Sequence, residues 1–274
     1  MPELPEVETI ARILRQGAPD HPSIIGHQIL SADLLWDRTL AEPAPNEFYP
    51  RLIGQKIYDI TRRGKFLVLR LSHDWLLFHL RMSGDLLVRP TGNPPEAHDR
   101  LLLELDGSLQ LAFNDARKFG RVWLVAAVDQ VLADLGPEPL DESFTPLHLF
   151  ERLQHIHRQI KPLLLDQSFL AGLGNIYADE ALNLAAIHPL TASNKISRQQ
   201  AEVLLSGIRT VLREGIARNG ASIDWVYRGG DFQNYFRVYQ RTGEPCIKCG
   251  TPIARIVVGQ RGTHYCPHCQ ALSS

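Results

Sequence analysis

The residues best placed to do chemistry stand at the two ends of the 274-residue chain. All four cysteines fall in its last 29 residues, as Cys246-x2-Cys249 and Cys266-x2-Cys269 with 16 residues between the pairs. Each pair puts two thiolates on one tight turn, and two such turns supply the four sulfurs of a tetrahedral zinc site. Four thiolates close the coordination sphere, so one zinc here is expected to be structural, with no position left for water or substrate. A disulfide reading needs an oxidising compartment, and a redox CxxC explains one pair but not two. His264 and His268 are rival ligands, outmatched by the two pairs. At the other end, Met1 precedes a small residue and is readily removed, which would expose the secondary amine of Pro2. An α-amino group titrates near pH ~8, so part of it is unprotonated at neutrality. Such an amine can condense with an aldehyde-level carbon to give an iminium ion, an electron sink, with Glu3 beside it to move protons. Met-Pro-Glu opens many chains, and an ordinary terminus stays open as the alternative.

These residues need elements to hold them. Val7, Ile10, Ala11 and Leu14 follow i, i+3, i+4, i+7, which predicts a helix over Pro5–Gln16 with Gly17 as its stop. From Ile24 to Val125 the signals are those of strands: Phe66–Leu71, Trp75–Leu80, Leu101–Leu105, Leu109–Phe113 and Arg121–Val125, with Asp106-Gly-Ser108 as a tight hairpin cue. Strands without interleaved helices predict an antiparallel β-sandwich. Asp37–Pro50 and Arg89–Asp99, rich in proline, read as loops. Pro137, Pro139 and Pro146 mark a boundary, after which the period becomes helical. Ser197-Arg-Gln-Gln200 has the form of a capping box, and Asp166–Ala186 reads as two helical pieces joined at Gly172-Leu-Gly174. Thr251–Val258 and Thr263–Tyr265 read as a hairpin around Gly259–Gly262, with Arg261 at its tip. The expected organisation is α+β: an N-terminal β-sandwich with its helix (1–134), a linker (135–146), a helical domain (147–236) and a cysteine-bearing hairpin (237–272).

Composition narrows the partners. The chain has 44% hydrophobic and 22% charged residues, as globular proteins do. No apolar run approaches the roughly 18 residues of a membrane span. Glu3, Glu6 and Glu8 stand where an export signal carries positive charge, so a cytoplasmic location is expected. Net charge is −1, but residues 195–274 hold 11 basic and 5 acidic side chains against 18 and 25 in residues 1–194. A basic C-terminal part suits a polyanion, although a scattered solvated surface would give the same count.

Seven blocks join these features: residues 1–9, Arg62-Arg-Gly-Lys65-Phe, His79-Leu-Arg-Met82-Ser-Gly84, Asp115-Ala-Arg117-Lys-Phe119-Gly120, Leu135-Gly-Pro-Glu-Pro139, Gly172-Leu-Gly174-Asn175-Ile-Tyr177, and the cysteine tail with Gln260-Arg261. In this order, over nearly the whole chain, they resemble the formamidopyrimidine-DNA glycosylase family, bacterial repair enzymes for oxidised purines. The resemblance implies a β-sandwich, a helix–two-turn–helix domain and a zinc ribbon. It implies a bifunctional glycosylase and abasic-site lyase acting as a monomer on damaged duplex DNA. By position it makes Pro2 the Schiff-base nucleophile and Glu3 the acid/base. Lys65 becomes the lysine of β-elimination, and Arg261 the finger arginine linked to δ-elimination. Lys161 and Asn175 fall on phosphate-clamp positions, and His98 on a DNA-contacting histidine. Met82, Arg117 and Phe119 fall on the side chains that fill the hole left by an everted base; on periodicity alone, Met82 and Phe119 read as core. The chain departs from the pattern at Gln240, where the family more often has glycine, and residues 224–236 correspond to a loop covering the lesion base. The near rival is the endonuclease VIII-like branch for oxidised pyrimidines, against which Leu4 and the Arg117/Phe119 block speak. A non-enzymatic zinc-ribbon binder is the rival from another class.

Overall fold

A computed structural model describes residues 1–19, 21–222 and 229–272. The chain divides into two compact units, one of residues 1–134 and 220–230, the other of 135–219 and 231–274. No helix among the described residues is long and apolar enough to cross a membrane.

The first unit opens with α1 (Leu4–Gln16), whose stripe Leu4, Val7, Ile10, Ala11 and Leu14 is buried and whose end is set by Gly17 at φ 79°. The strands that follow are β1 (Ile29–Leu34), β2 (Leu40–Glu42), β3 (Asp59–Arg63), β4 (Phe66–Arg70), β5 (Trp75–His79), β6 (Gly84–Pro90), β7 (Asp99–Leu105), β8 (Leu109–Asp115) and β9 (Arg121–Val125). They form a four-stranded sheet, β1-β7-β8-β6, and a five-stranded sheet, β2-β9-β5-β4-β3. In β6 the burial alternates, with Gly84, Leu86 and Val88 on the covered face, as a half-buried strand requires. The core draws Leu67, Leu69, Leu76 and Phe78 from one sheet and Leu101, Leu103, Leu111 and Phe113 from the other, with α1 packed against it. Phe78 and Phe113 meet edge to face at 5.6 Å, so the two sheets face each other as a sandwich.

The stretch Asp37–Pro50 departs from the expected loop. It holds a 3-10 turn (Asp37–Thr39), β2, and the helix α2 (Pro45–Leu52). Pro45 occupies the first helical turn, where its missing N–H is no loss, and Phe48 and Leu52, one turn apart, are fully buried. Burial of that pair outweighs the second proline. β2 also pairs parallel with β9, the exception in an otherwise antiparallel sandwich. Arg89 and Pro90 finish β6, leaving the next loop to residues 91–98.

After the short α3 (Asp129–Leu132), the second unit carries α4 (Pro146–Gln154), α5 (Ile160–Leu164), α6 (Asn175–Leu184) and α7 (Arg198–Ala217), then β10 (Ala254–Val258) and β11 (Arg261–Tyr265). Residues 135–145 have no helix or strand, yet they are tied down. Arg209 of α7 donates to the carbonyls of Pro139, Asp141 and Phe144 at 2.7–2.8 Å. Ser197 caps α7 by accepting from the Gln200 N–H, as the capping box predicts. Residues 165–174 correct the sequence reading. They are two successive turns between α5 and α6, not a helical piece, because Asp166 accepts from Ser168 N–H and OH and so competes with helical bonding. α7 lies close on α6: a Cβ added at Gly215 would stand 2.6 Å from the Tyr177 ring, which is itself stacked on Phe232.

Candidate active site and metal centre

In the first unit, α1 runs along β3. Arg15 donates to the Ile60 carbonyl at 3.0 Å, and Glu8 pairs with Arg62 at 3.1 Å, so each step toward the helix N-terminus leads toward the Gly64-Lys65 turn. Met1 is about half exposed while Pro2 and Glu3 behind it are buried. The Glu6 carboxylate, also buried, accepts from the Glu3 N–H at 2.8 Å and from the Ala221 N–H at 2.7 Å. Glu6 therefore fastens the start of the chain to residues 220–221. Nothing in the periodicity of α1 marks it for this task.

Lys65 forms the turn between β3 and β4 and is 5% exposed. The next residue, Phe66, is in register with His79 at the end of β5, and His79 with Arg121 at the start of β9. One end of the five-stranded sheet thus gathers Lys65 and the loops holding Met82, Arg117 and Phe119. Burial, with Arg81 and Lys65 nearby, pushes the His79 imidazole down to about 3, so it is neutral at physiological pH. Its Nδ1 accepts the Arg81 N–H at 3.1 Å and helps to shape the turn before Met82.

Asp115 is the hub of this end. Its carboxylate accepts from the Ser83 hydroxyl, from the Arg117 N–H at 3.2 Å and from the Gly120 N–H at 2.7 Å, while its own N–H donates to the His98 carbonyl at 2.8 Å. One buried residue therefore joins the Met82 turn and the Arg117–Phe119 turn through its carboxylate and the His98 loop through its N–H. Gly120 is required there, since a Cβ would stand 2.3 Å from Phe113 and 3.1 Å from Asp115. Met82 is 37% and Phe119 50% exposed, which removes the core reading of both. The Arg117 guanidinium lies 5.3 Å from the Phe119 ring centre, and His98 and Arg117 are exposed.

The second unit holds Lys161, Asn175, Arg261 and the cysteines. The four Sγ atoms lie within 4.8 Å of one another, with Cys246–Cys269 at 4.0 Å and Cys249–Cys266 at 3.5 Å. Zinc–sulfur bonds of about 2.3 Å in a tetrahedron place sulfurs about 3.8 Å apart. The four are free thiols, none in a disulfide. Hydrogen bonds from Thr251 draw the Cys249 thiol down to about 6, while burial and the neighbouring thiols push Cys269 up to about 12. Four crowded sulfurs need a cation to ionise together, and the set fits one structural zinc. β10 and β11 turn at Gly259-Gln260, with exposed Arg261 the first residue of β11, paired with Val258.

Lys161 lies inside the fold. It is fully buried, with Nζ 2.6 Å from Asp179, 2.7 Å from Thr263 Oγ1 and 3.1 Å from the Gly262 carbonyl. With three partners inside the fold, it supports the finger hairpin. Asn175, the first residue of α6, likewise donates to the Gly262 carbonyl at 3.1 Å. Asp179 also accepts the His264 N–H at 2.9 Å, and Glu180 accepts the N–H groups of Arg237, Val238 and Tyr239 at 2.8–2.9 Å. Burial raises the Glu180 pKa against the pull of those donors. An Asp-Glu pair in the otherwise apolar run Ile176–Leu182 is the signal that could have revealed both supports. Gln240 adopts φ 57°, the left-handed conformation that favours glycine, which accounts for the family's preference there. Residues 224–228, in the stretch read as a lesion-covering loop, lie outside the described residues.

Lys161→Met is expected to destabilise the protein by about 3–5 kcal/mol in urea unfolding, because it strands a buried Asp179. Adding Asp179→Asn should recover much of the loss. A Lys161→Met protein of unchanged stability and weakened DNA affinity would instead support the phosphate-clamp role.

Residues 1–122 match the formamidopyrimidine-DNA glycosylase N-terminal domain, 135–226 its H2TH domain, and 243–272 a zinc finger found in FPG and IleRS. The formamidopyrimidine-DNA glycosylase of Chloroflexus aurantiacus is 48% identical over 98% of both chains, and that of Ligilactobacillus salivarius 41% identical over 100% of both. Among solved structures, a MutM in complex with DNA containing carbocyclic 8-oxo-G superimposes with a TM-score of 0.90 at 39% identity, covering 99% of this chain and 100% of that one. The Lactococcus lactis Fpg bound to DNA with an abasic site gives 0.90 at 38%, covering 98% and 100%. With three domain matches in sequence order and full-length relatives at this identity, the chain belongs to the formamidopyrimidine-DNA glycosylase family.

Proposed function

We propose that this protein is a bifunctional DNA glycosylase and abasic-site lyase that excises oxidised purines from duplex DNA. The observation that carries the reading is the family membership, over the full length of relatives solved with 8-oxo-G and abasic-site DNA. The gathering of Lys65, Met82, Arg117 and Phe119 at one sheet end, toward which the α1 N-terminus points, supports it.

After Met1 is removed, the Pro2 nitrogen attacks C1′ of the damaged nucleotide and the glycosidic bond breaks, the base leaving with the bond pair. The Pro2 nitrogen loses its proton and the C1′–O4′ bond opens, O4′ taking a proton as the nitrogen lone pair forms the C=N bond, and the resulting iminium acidifies the C2′ proton. Its loss expels the 3′-phosphate, and a second elimination expels the 5′-phosphate. Glu3 carries protons around the sugar, Lys65 assists β-elimination, and Arg261 holds phosphate and assists δ-elimination. Asn175 and His98 contact the DNA backbone. Met82, Arg117 and Phe119 fill the void left by the extruded nucleotide, offsetting a few kcal/mol of lost stacking. The zinc, when bound, supplies structure to the Arg261 hairpin and no chemistry. The protein acts as a monomer in the bacterial cytoplasm; sedimentation with and without DNA checks the first point.

Cleavage of duplexes carrying 8-oxoguanine, a formamidopyrimidine or an oxidised pyrimidine, run side by side, tests the assignment. Fastest cutting of the pyrimidine substrate would favour the endonuclease VIII-like reading. Binding without cleavage or a borohydride-trapped adduct would leave a zinc-ribbon binder.

Arg117→Ala is expected to slow release of 8-oxoguanine by roughly tenfold or more while cutting of a preformed abasic site changes by less than about threefold, since an abasic sugar is cheaper to extrude. Equal losses on both substrates would mark Arg117 as a general phosphate contact.

A further inference from the structure

Between the two void-filling residues Arg117 and Phe119 stands Lys118, an exposed residue with φ 60° in a turn whose flanks are already held. Asp115 fixes the N–H groups of Arg117 and Gly120 on either side. The Lys118 N–H makes only a long 3.4 Å bond to the Asp115 carbonyl. Its ammonium, however, sits 4.0 Å from the centre of the Trp36 ring. That separation is well inside the range in which the ring quadrupole attracts a cation. Trp36 is itself anchored: the 3-10 turn that follows it presents the Arg38 carbonyl to the guanidinium of Arg121, the first residue of β9. The indole N–H has no acceptor among the described residues, so packing and the lysine hold the ring.

We infer that Trp36 is a positioning residue for base extrusion, holding Lys118 on its face so that the turn presents Arg117 and Phe119 in one arrangement. The inference rests on the void-filling role proposed above. A non-glycine residue at positive φ is held against its own preference, and the cation–π contact supplies a restraint from outside the turn. Neither Trp36 nor Lys118 needs to touch the damaged base. Their effect is confined to the step in which the turn enters the DNA stack, so a ready-made abasic site should be almost indifferent to them.

Single-turnover rates on an 8-oxoguanine duplex and on an abasic duplex test this with Trp36→Leu, Lys118→Met, the double variant, Trp36→Phe and Lys118→Arg. Trp36→Leu and Lys118→Met should each slow base release about threefold to tenfold, with abasic cutting within about twofold of wild type. The double variant should be no slower than the slower single one, because both remove the same contact. Trp36→Phe and Lys118→Arg keep a ring and a cation, and should return base release to within about twofold. If Lys118 touches DNA directly, Lys118→Met slows both substrates and Trp36→Leu slows neither, which overturns the inference. Parallel losses on both substrates in Trp36→Leu overturn it as well. Should Trp36→Leu fail to fold, Lys118→Met and Lys118→Arg alter an exposed side chain and still give the substrate ratio. Failure of the wild-type protein to release 8-oxoguanine would reject the functional reading itself, before any variant is compared.

Discussion

Protein that has lost Met1 is expected to crosslink to 8-oxoguanine DNA through residue 2 when borohydride is present, and protein that retains Met1 is expected not to. With Met1 attached, the Pro2 nitrogen is an amide whose lone pair is delocalised into the carbonyl, and no iminium can form. Mass spectrometry of active protein should therefore show the loss of one methionine, and peptide mapping should place the reduced adduct on Pro2. Pro2→Gly leaves a primary amine, a poorer match to the reaction, and base release should fall roughly a hundredfold or more. Glu3→Gln should bind lesion DNA and fail to process it. Glu3 and Pro2 are buried behind an exposed Met1, and Glu6 ties their backbone to Ala221, so either substitution acts on an end already held in place. An equally fast adduct from protein with Met1 verifiably in place would shift the nucleophile to a lysine.

Removal of zinc is expected to have the second large effect. The finger's own core is Val238, Cys246, Ile253 and Cys266, too small to fold a hairpin without a covalent or metal staple. Structural zinc contributes on the order of 10 kcal/mol to such modules. Metal analysis should give about one zinc per chain, falling to none in Cys246→Ser. DNA affinity should fall by about tenfold or more, and the slope of log K against log salt should lose about one phosphate contact, as it should in Arg261→Ala. Full activity in a verified zinc-free protein would falsify the structural role. The outer supports of the hairpin use residues that Cys246→Ser does not change: Lys161 and Asn175 reach the Gly262 carbonyl, and Gln270 bridges Asn183, Cys266 and the Ile187 carbonyl. Comparing Cys246→Ser with Lys161→Met thus separates the metal's share of holding Arg261 from the helix's share.

What was legible in the amino-acid order was what short-range chemistry controls. Two CxxC pairs announce a metal site because four thiolates close together have few other uses. The stripe of α1, the paired strands around Asp106-Gly-Ser108 and the capping box at Ser197 follow from periodicity and turn chemistry over a few residues. Pro2 and Glu3 could be singled out because a secondary amine at a chain end, with a carboxylate beside it, can be read from three residues. Tertiary structure alone decided the rest. It made α2 out of a proline-rich stretch by burying Phe48 and Leu52, and it laid β2 parallel to β9. It exposed Met82 and Phe119, whose types suggest a core, and it buried Lys161, whose type suggests a surface. It also set Glu180 to hold the N–H groups of Arg237, Val238 and Tyr239, and Asp115 to join the Ser83 hydroxyl and the His98 carbonyl. These outcomes depend on partners many residues away, Ser83 and His98 for Asp115, Thr263 and Asp179 for Lys161. A charged side chain is buried when the folded chain brings it a partner, and local sequence does not carry that information.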